Sequence, residues 1–381
     1  MGKFSHMKIK GFRRLHDFDL DLRPLTLMVG ANGVGKTSLL DAFSLLSASA
    51  GGGLNAKMNE YGGITSNLTY DKGLKMVFSL DMEVPQYNPL KYELSLVPQG
   101  NSYSIESEIL TQERGYKAPF KHIDSKFVNI MYFDVDDGRL VRPTWEHNPF
   151  ETSLSQVPKM FKQPEELRRI LNSTSLYHVL DVGPRALVRL PQPMKPAVLP
   201  GKDGEDLVPL LYYLRETNMD RFEVIEDTLR SAFPGFESLN FPPVAAGILA
   251  MTWKDKNFSK PMFMNQLSEG MLRFLWLTAL LQSPGLPIIT MLDEPEVSLH
   301  PELLSLMADL FREASQKTQL IIATHSDRLV RFLKPEEVVV MDIGEDGLAK
   351  ASWADTLDLE QWLADYSLDE VWRMGRMGGR S

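Results

Sequence analysis

The sequence contains no cysteine, and other features of secreted or membrane proteins are missing as well. A chain without cysteine forms no disulfides and no cysteine-bound metal site, which is compatible with the reducing cytoplasm. Residues 1–10 lack the apolar core of a signal peptide, and no run approaches the roughly 20 apolar residues of a membrane span. We therefore expect a cytoplasmic protein with no membrane partner.

An excess of basic charge is also absent. The chain has 41 Lys and Arg residues against 50 Asp and Glu residues, a net charge of −9. Because its whole surface does not attract nucleic acid, any DNA contact needs a local basic patch. The sequence has three candidate patches: Lys8, Lys10, Arg13 and Arg14; Arg328, Arg331 and Lys334; and Arg373, Arg376 and Arg380. For each of them, an ordinary solvated protein surface is the competing explanation.

The segment from Gly30 to Thr37 fits the phosphate-binding pattern G-x-x-x-x-G-K-[ST]. An apolar run precedes it at residues 25–29, and a helical pattern follows at 38–46. Glycines let the backbone curl around a phosphate, and the helix N-terminus favours a negative ligand. Lys36 is expected to reach the β- and γ-phosphates, and the Thr37 hydroxyl to bind Mg²⁺. The nucleotide-binding residues are predicted to be Gly30, Ala31, Asn32, Gly33, Val34, Gly35, Lys36, Thr37 and Ser38.

The chain of 381 residues is long enough for two or three average domains, or for one large domain with an insertion. Alternating apolar residues predict antiparallel strands near 76–84, 92–96 and 103–109, and the run 127–133 reads as a more buried strand. Strands at 7–11 and 18–22 are expected to feed the sheet that carries the phosphate loop. Helical patterns follow at 164–180 and 206–233, around a proline-dense excursion. The predicted divisions are an N-terminal lobe (1–150), a mainly helical insertion (151–260), a C-terminal lobe (261–352) and a tail (353–381).

Two acidic residues end an apolar strand at residues 287–292. A strand ending in adjacent carboxylates is the expected partner of a phosphate loop, since one carboxylate binds Mg²⁺ and the next polarises the attacking water. We assign Asp293 to the metal and Glu294 to the water; a surface acidic pair is the alternative. His325 follows the next strand, 319–323, and is a candidate sensor of the γ-phosphate.

Together these motifs resemble the ABC-type ATPase head shared by RecF, SMC proteins and the OLD nucleases. The phosphate loop resembles Walker A, Leu267 to Gly270 the ABC signature, residues 288–294 Walker B, residues 295–301 the D-loop, and His325 the switch histidine. The opening residues 9–13 and the segment 292–301 are closer to the RecF and OLD branch than to transporters. The tail from Leu359 resembles a group of bacterial predicted AAA-type ATPases related to RecF.

The resemblance implies an α/β P-loop NTPase of the ABC-head type, with an antiparallel β lobe and a largely helical insertion. It implies ATP and Mg²⁺ as cofactors, with Lys36, Glu294 and His325 as catalytic residues. It also implies an ATP-dependent homodimer in which Ser268 and Gly270 cap the γ-phosphate of the other subunit; an ordinary helix N-cap at Ser268 is compatible with this.

The task that the resemblance implies is DNA repair or genome maintenance. An anti-phage ATPase with a separate effector such as a nuclease, a transporter subunit and a nucleotide-gated binding module remain as alternatives. The transporter is disfavoured by the long separation of Lys36 from Ser268.

The sequence departs from the family pattern in two places. The glutamine of the Q-loop has no evident counterpart; by position it should follow the strand at 127–133, where Asp136, Asp137 or Arg139 would substitute. Only residues 326–381 follow His325, too few for the nuclease domain of OLD enzymes. Two further expectations concern individual side chains: Arg13 or Arg14 either folds onto a nucleotide phosphate or stays in solvent, and the aromatics Trp353, Trp362, Tyr366 and Trp372 either dock the tail onto the core or bind a partner.

Overall fold

The computed structural model describes residues 2–115, 117–363 and 366–378. Its strands, in chain order, are β1 (Lys3–Lys10), β2 (Phe18–Asp21), β3 (Leu25–Val29), β4 (Met76–Val84), β5 (Tyr87–Gln99), β6 (Ser102–Gln112), β7 (Phe120–Lys126), β8 (Tyr132–Asp134), β9 (Arg139–Val141), β10 (Ser175–Tyr177), β11 (Gln192–Pro193), β12 (Phe236–Asn240), β13 (Pro243–Ala245), β14 (Ile248–Leu249), β15 (Thr252–Asp255), β16 (Met262–Phe263), β17 (Ile289–Asp293), β18 (Gln319–Thr324), β19 (Val338–Ile343) and β20 (Ala349–Trp353). Its helices are α1 (Lys36–Ala50), α2 (Leu54–Glu60), α3 (Ile64–Asn67), α4 (Ser153–Gln156), α5 (Lys162–Ser173), α6 (Leu207–Thr217), α7 (Met219–Ala232), α8 (Glu269–Leu281), α9 (Leu303–Ser315), α10 (Asp327–Val330), α11 (Glu360–Leu363) and α12 (Leu368–Arg373).

A mainly parallel sheet carries the phosphate loop. Its strand order is β10-β17-β18-β3-β19-β20, and only the edge pair β19–β20 is antiparallel. The central strands β3 and β18 are buried along their whole length, as continuous apolar runs in a parallel sheet predict. Since parallel strands end at the same edge, β3, β17 and β18 bring their following loops together.

An antiparallel sheet of order β2-β1-β4-β5-β6-β7-β8-β9 forms the second layer. The alternation predicted at 76–84, 92–96 and 103–109 is confirmed, because β4, β5 and β6 bury every second side chain over much of their length. Two expectations are wrong. Strands β1 and β2 belong to this sheet and not to the phosphate-loop sheet. Residues 127–133 are not one buried strand, since Phe127 and Val128 form an exposed turn between β7 and β8, 56% and 75% accessible.

The two faces of the parallel sheet enter different apolar cores. Met28 of β3 and Ile321 of β18 face α1, α5 and the antiparallel sheet. Their neighbours in sequence, Leu27 and Ile322, face the core formed with α6, α7, α8 and α9. This is the period-two alternation of strand side chains, and it places α1 between the two sheets. The expected α/β fold with an antiparallel lobe is confirmed.

The segment 151–260 holds α4 to α7 and most of two small sheets, of strand order β11-β14-β13 and β12-β15-β16. The last strand of the second sheet, β16, lies just beyond the segment. The helix predicted over 164–180 ends at Ser173, and the chain then enters β10, which pairs in parallel with β17. In the tail, Trp353 and Trp372 are buried and Trp362 packs against the core, whereas Tyr366 is 41% exposed. Among the described residues no helix has the length and apolar character needed to cross a bilayer.

Candidate functional site

The phosphate loop connects the end of β3 to the start of α1. Gly30, Gly33 and Gly35 have φ angles of 156°, 77° and 113°, which L side chains rarely adopt. A Cβ atom on Gly30 would lie 2.3 Å from the backbone oxygen of Met341 in β19. The glycine therefore allows the loop to lie directly against the neighbouring strand. Val34 is buried and anchors the loop, while Asn32 and Thr37 are exposed on it.

Lys36 is buried beneath this loop. Its Nζ donates to the backbone oxygens of Gly30 at 2.7 Å and Ala31 at 2.9 Å, and it lies 3.1 Å from Nδ1 of His325. Burial lowers the Lys36 pKa to about 8, against the opposing effect of the Glu294, Asp293 and Glu296 carboxylates. An ammonium group held in this way is available to replace its carbonyl partners with phosphate oxygens.

The predicted catalytic carboxylate and switch histidine are in contact. Glu294 follows β17 with a φ of 52°, and its N–H donates to Ala323 at 2.8 Å. His325 Nε2 lies 3.0 Å from Glu294 Oε1. If Nδ1 accepts from Lys36, Nε2 carries the proton and donates to Glu294, so the network favours one neutral tautomer. Burial, and then the Lys36 charge, lower the His325 pKa, in agreement with a neutral ring.

A second glutamate in the loop after β17 was not anticipated from the sequence. Glu296 Oε1 accepts from the Thr324 hydroxyl and, at 3.4 Å, from the His325 backbone N–H. Burial raises the pKa of Glu296. The segment Glu294-Pro-Glu296 was the available signal, but nothing in it indicates that the second carboxylate turns inward to the end of β18.

His178 is the other unanticipated residue. It follows β10, and because β10 pairs with β17, its Nδ1 lies 3.5 Å from Oδ2 of Asp293. The Asp293 carboxylate raises the pKa of His178. The expected substitutes for the Q-loop glutamine, Asp136, Asp137 and Arg139, lie at the β8–β9 hairpin of the antiparallel sheet, and their role stays a prediction.

Ser268 caps the N-terminus of α8, where its Oγ accepts from the backbone N–H of Met271 at 3.3 Å. Its side chain is exposed, and Gly270 adjoins the loop after β17, since a Cβ there would lie 3.0 Å from the Ser298 oxygen. The N-cap expectation is confirmed. In the part of the chain that the structure describes, none of the hydrogen bonds of Ser268 reaches the phosphate loop of the same chain.

The residues present fit a magnesium-bound nucleotide. Thr37 offers an exposed hydroxyl and Asp293 a carboxylate with 17% of its side chain accessible. The described residues contain no cluster of three or more His, Cys, Asp and Glu side chains that could hold a metal. Mg²⁺ commonly takes one or two protein oxygens and completes its shell with phosphates and water, so this sparse donor set suits it.

Several residues of the predicted basic patches are paired with acids or backbone oxygens. Arg13 contacts Asp41 at 2.5 Å and Asn67, and Arg14 donates to the oxygen of Gly347. Further contacts are Lys8 with Asp19 at 3.1 Å, Lys334 with Glu336 at 3.9 Å and Arg373 with Asp327 at 2.8 Å. Arg380 lies outside the described residues. Arg13 therefore links the turn after β1 to α1 and α3.

Comparisons with known proteins agree with this arrangement. Residues 25–331 match the family described as "AAA domain, putative AbiEii toxin, Type IV TA system". An OLD nuclease from Thermus scotoductus is 52% identical over 42 residues, which are 11% of this chain and 8% of that protein. The chain therefore matches less than a tenth of this curated relative's length.

The fold is similar to that of SMC heads. One neighbour is an SMC head bound to the C-terminal winged-helix domain of ScpA, with a TM-score of 0.56, 15% identity, and coverage of 95% of this chain and 99% of the other. Another is the Pyrococcus furiosus SMC head with an extended coiled coil, bound to the C-terminal domain of ScpA, with a TM-score of 0.55, 12% identity, and 98% coverage of both chains. At these identities the likeness concerns the fold.

Proposed function

This chain belongs to the AAA domain family that it matches, and on that premise we propose that it binds Mg-ATP and hydrolyses the γ-phosphate bond. The observation that carries the proposal is the continuous contact from Lys36 through His325 to Glu294. It places a cation, a neutral ring and a carboxylate side by side at the end of the phosphate loop. These groups match the needs of phosphoryl transfer to water.

Each residue then has a distinct role. Lys36 exchanges its carbonyl partners for β- and γ-phosphate oxygens, while the loop N–H groups and the start of α1 receive the rest of the charge. Thr37 and Asp293 would hold Mg²⁺, whose contribution would be to neutralise charge on the phosphates. Glu294 orients and polarises the attacking water, and His325 senses the γ-phosphate through its contact with Lys36.

The closed site is formed by two copies of the chain. Ser268 and the N-terminus of α8 point to solvent in one copy, so they are free to donate to a γ-phosphate held by another. ATP would join two subunits in this way, and hydrolysis would release them.

The biological use that we propose is DNA repair or genome maintenance in the cytoplasm, as in RecF, with DNA held through local basic patches. The alternative is defence against phage with a separate effector such as a nuclease. The family description, which names a toxin of a type IV toxin–antitoxin system, favours this alternative.

The test compares the native chain with Glu294→Gln, and with Glu336→Gln as a control on an exposed glutamate. ATP hydrolysis and molecular mass are measured with and without linear duplex DNA. We expect Glu294→Gln to bind ATP, accumulate as a dimer and lose about 100-fold or more in kcat, because its water is no longer polarised. Hydrolysis that survives this change would refute the assignment of Glu294.

Two other outcomes decide between the functions. ATP binding without turnover in the native chain would indicate a nucleotide-gated binding module. Turnover that ignores DNA across a range of salt would remove the DNA role and favour a protein effector.

A further inference from the structure

Glu296 is a carboxylate beside the candidate site that the catalytic roles above leave unused. It lies two residues after Glu294, in the loop between β17 and α9. Its Oε2 atom is buried and has no hydrogen-bond partner among the described residues. Burial of a partly unpaired carboxyl group costs free energy, so the contacts made by its other oxygen need an explanation.

Those contacts all lead to the turn that carries His325. The buried Thr324 hydroxyl donates to Glu296 Oε1, and its lone pair accepts from the Ser326 N–H at 3.0 Å. The His325 N–H lies 3.4 Å from the same carboxylate oxygen. Glu296 therefore fixes the backbone on both sides of the histidine.

The position of this turn determines two contacts of the ring. His325 Nδ1 lies 3.1 Å from Lys36 and Nε2 lies 3.0 Å from Glu294, so a shift of the backbone lengthens both. Thr324 pairs with Val29, the last residue of β3 before the phosphate loop. The sheet fixes one side of the turn, and Glu296 is the group that fixes the other.

We propose that Glu296 is a positioning residue that holds His325 in register with Lys36 and Glu294. It acts through Thr324 and the His325 backbone and does not touch the nucleotide. This inference rests on the proposed ATP hydrolysis, and it adds a residue that connects the two loops around the γ-phosphate.

The test combines two independent ways of breaking the contact. Glu296→Ala removes the acceptor and Thr324→Val removes the hydroxyl at nearly constant shape. Glu296→Gln and Thr324→Ser are the matched partners that retain the hydrogen bond. Each is also made in a His325→Ala background, and kcat and KM for ATP are measured together with thermal unfolding.

We expect Glu296→Ala and Thr324→Val to lower kcat by about tenfold to a hundredfold with little change in KM, as misplacement of a reacting group does. Glu296→Gln and Thr324→Ser should recover part of that loss. In the His325→Ala background the same substitutions should cost almost nothing more, because the group that they position is gone. If Glu296→Ala does not fold, the Thr324 pair carries the comparison.

A full additional loss in the His325→Ala background would overturn the proposal, as would an unchanged kcat in Thr324→Val. The ring ¹⁵N resonances of His325 give a readout that does not depend on turnover. They should move in Thr324→Val and stay close to the native positions in Thr324→Ser. If the native chain shows no turnover but the ring signals respond in this way, the proposed hydrolysis is refuted and the positioning role is supported. If the ring signals do not move in Thr324→Val, the positioning role is refuted.

Discussion

The residue type at position 30 is restricted to glycine by the neighbouring strand β19. The φ of Gly30, 156°, is one that side chains avoid, and the Met341 oxygen occupies the space where a Cβ would lie. The first glycine of the motif is thus required by strand β19, which is more than 300 residues further along the chain. The sequence motif predicts the glycine but not this neighbour.

Gly30→Ala should therefore destabilise the protein and abolish nucleotide binding. Gly100→Ala is the matched control, since Gly100 also has a positive φ, of 60°, but has nothing within 4 Å of its added methyl group. The control should lose about 1–2 kcal/mol from backbone conformation alone, and Gly30→Ala more. Urea unfolding and ATP titration measure both effects. Equal stability of the two variants with ATP binding retained would contradict this reading.

The site residues that the sequence predicts differ in one physical respect from the two that only the structure reveals. Lys36, Thr37, Asp293 and Glu294 lie in short contiguous patterns whose chemistry is local. His178 reaches Asp293 only because a three-residue strand joins the sheet beside β17, and Glu296 reaches Thr324 only because the loop turns inward. Contacts of this kind depend on tertiary register, which no local pattern contains.

At the scale of elements, the antiparallel sheet buries a histidine that is remote from the candidate site. His122 of β7 is 5% exposed, its Nε2 is 3.3 Å from Gln112 Oε1 and its ring packs edge-on against Phe120. Burial, and then the charge of Arg114, lower its pKa to about 4. The native sheet therefore holds this ring neutral where an unfolded chain would protonate it.

His122 should make the protein sensitive to acid. Between about pH 6.5 and pH 4 the unfolded chain binds this proton and the folded chain does not, so stability is present above that window and is lost as pH falls through it. The loss amounts to about 3 kcal/mol, from about 1.4 kcal/mol per pKa unit. The non-titrating His122→Gln should lack this component, whereas His300→Gln, an exposed control, should keep it. Urea unfolding at pH 7 and pH 4 tests this, and identical pH dependence in His122→Gln would contradict it.

Elements with a strong period were predictable, and short ones were not. β4, β5 and β6 follow clear alternation, α6 and α7 lie within the helical pattern at 206–233, and the structure contains all five. The prediction of a buried strand at 127–133 is wrong because the apolar residues Phe127 and Val128 belong to an exposed turn. Composition alone cannot distinguish such a turn from a strand. The sheet membership of β1 and β2 likewise depends on their pairing with β4 and with each other, which lies outside the strands' own sequence.

At the scale of the whole molecule, the two cores meet at the parallel sheet and leave its loop edge open. Lys36, Glu294 and His325 lie together at that edge, while the exposed Ser268 caps α8 and, among the residues that the structure describes, hydrogen-bonds within that first turn. In the function proposed above, these are two half-sites of one copy, and a complete ATP site would take one half from each of two copies.

Complementation between two inactive variants tests this claim most directly. Lys36→Ala lacks the ammonium group that would bind the phosphates, and Ser268→Arg blocks the helix N-terminus that would cap the γ-phosphate. Ser231→Arg, on the exposed surface of α7, is the matched control for the added charge. Each inactive variant alone should hydrolyse almost no ATP. An equal mixture places both lesions in one site of each mixed dimer and leaves the other site intact, so about a quarter of the native rate should return. A mixture that hydrolyses no more than the sum of its parts, under conditions where mixed dimers are present, would contradict the account.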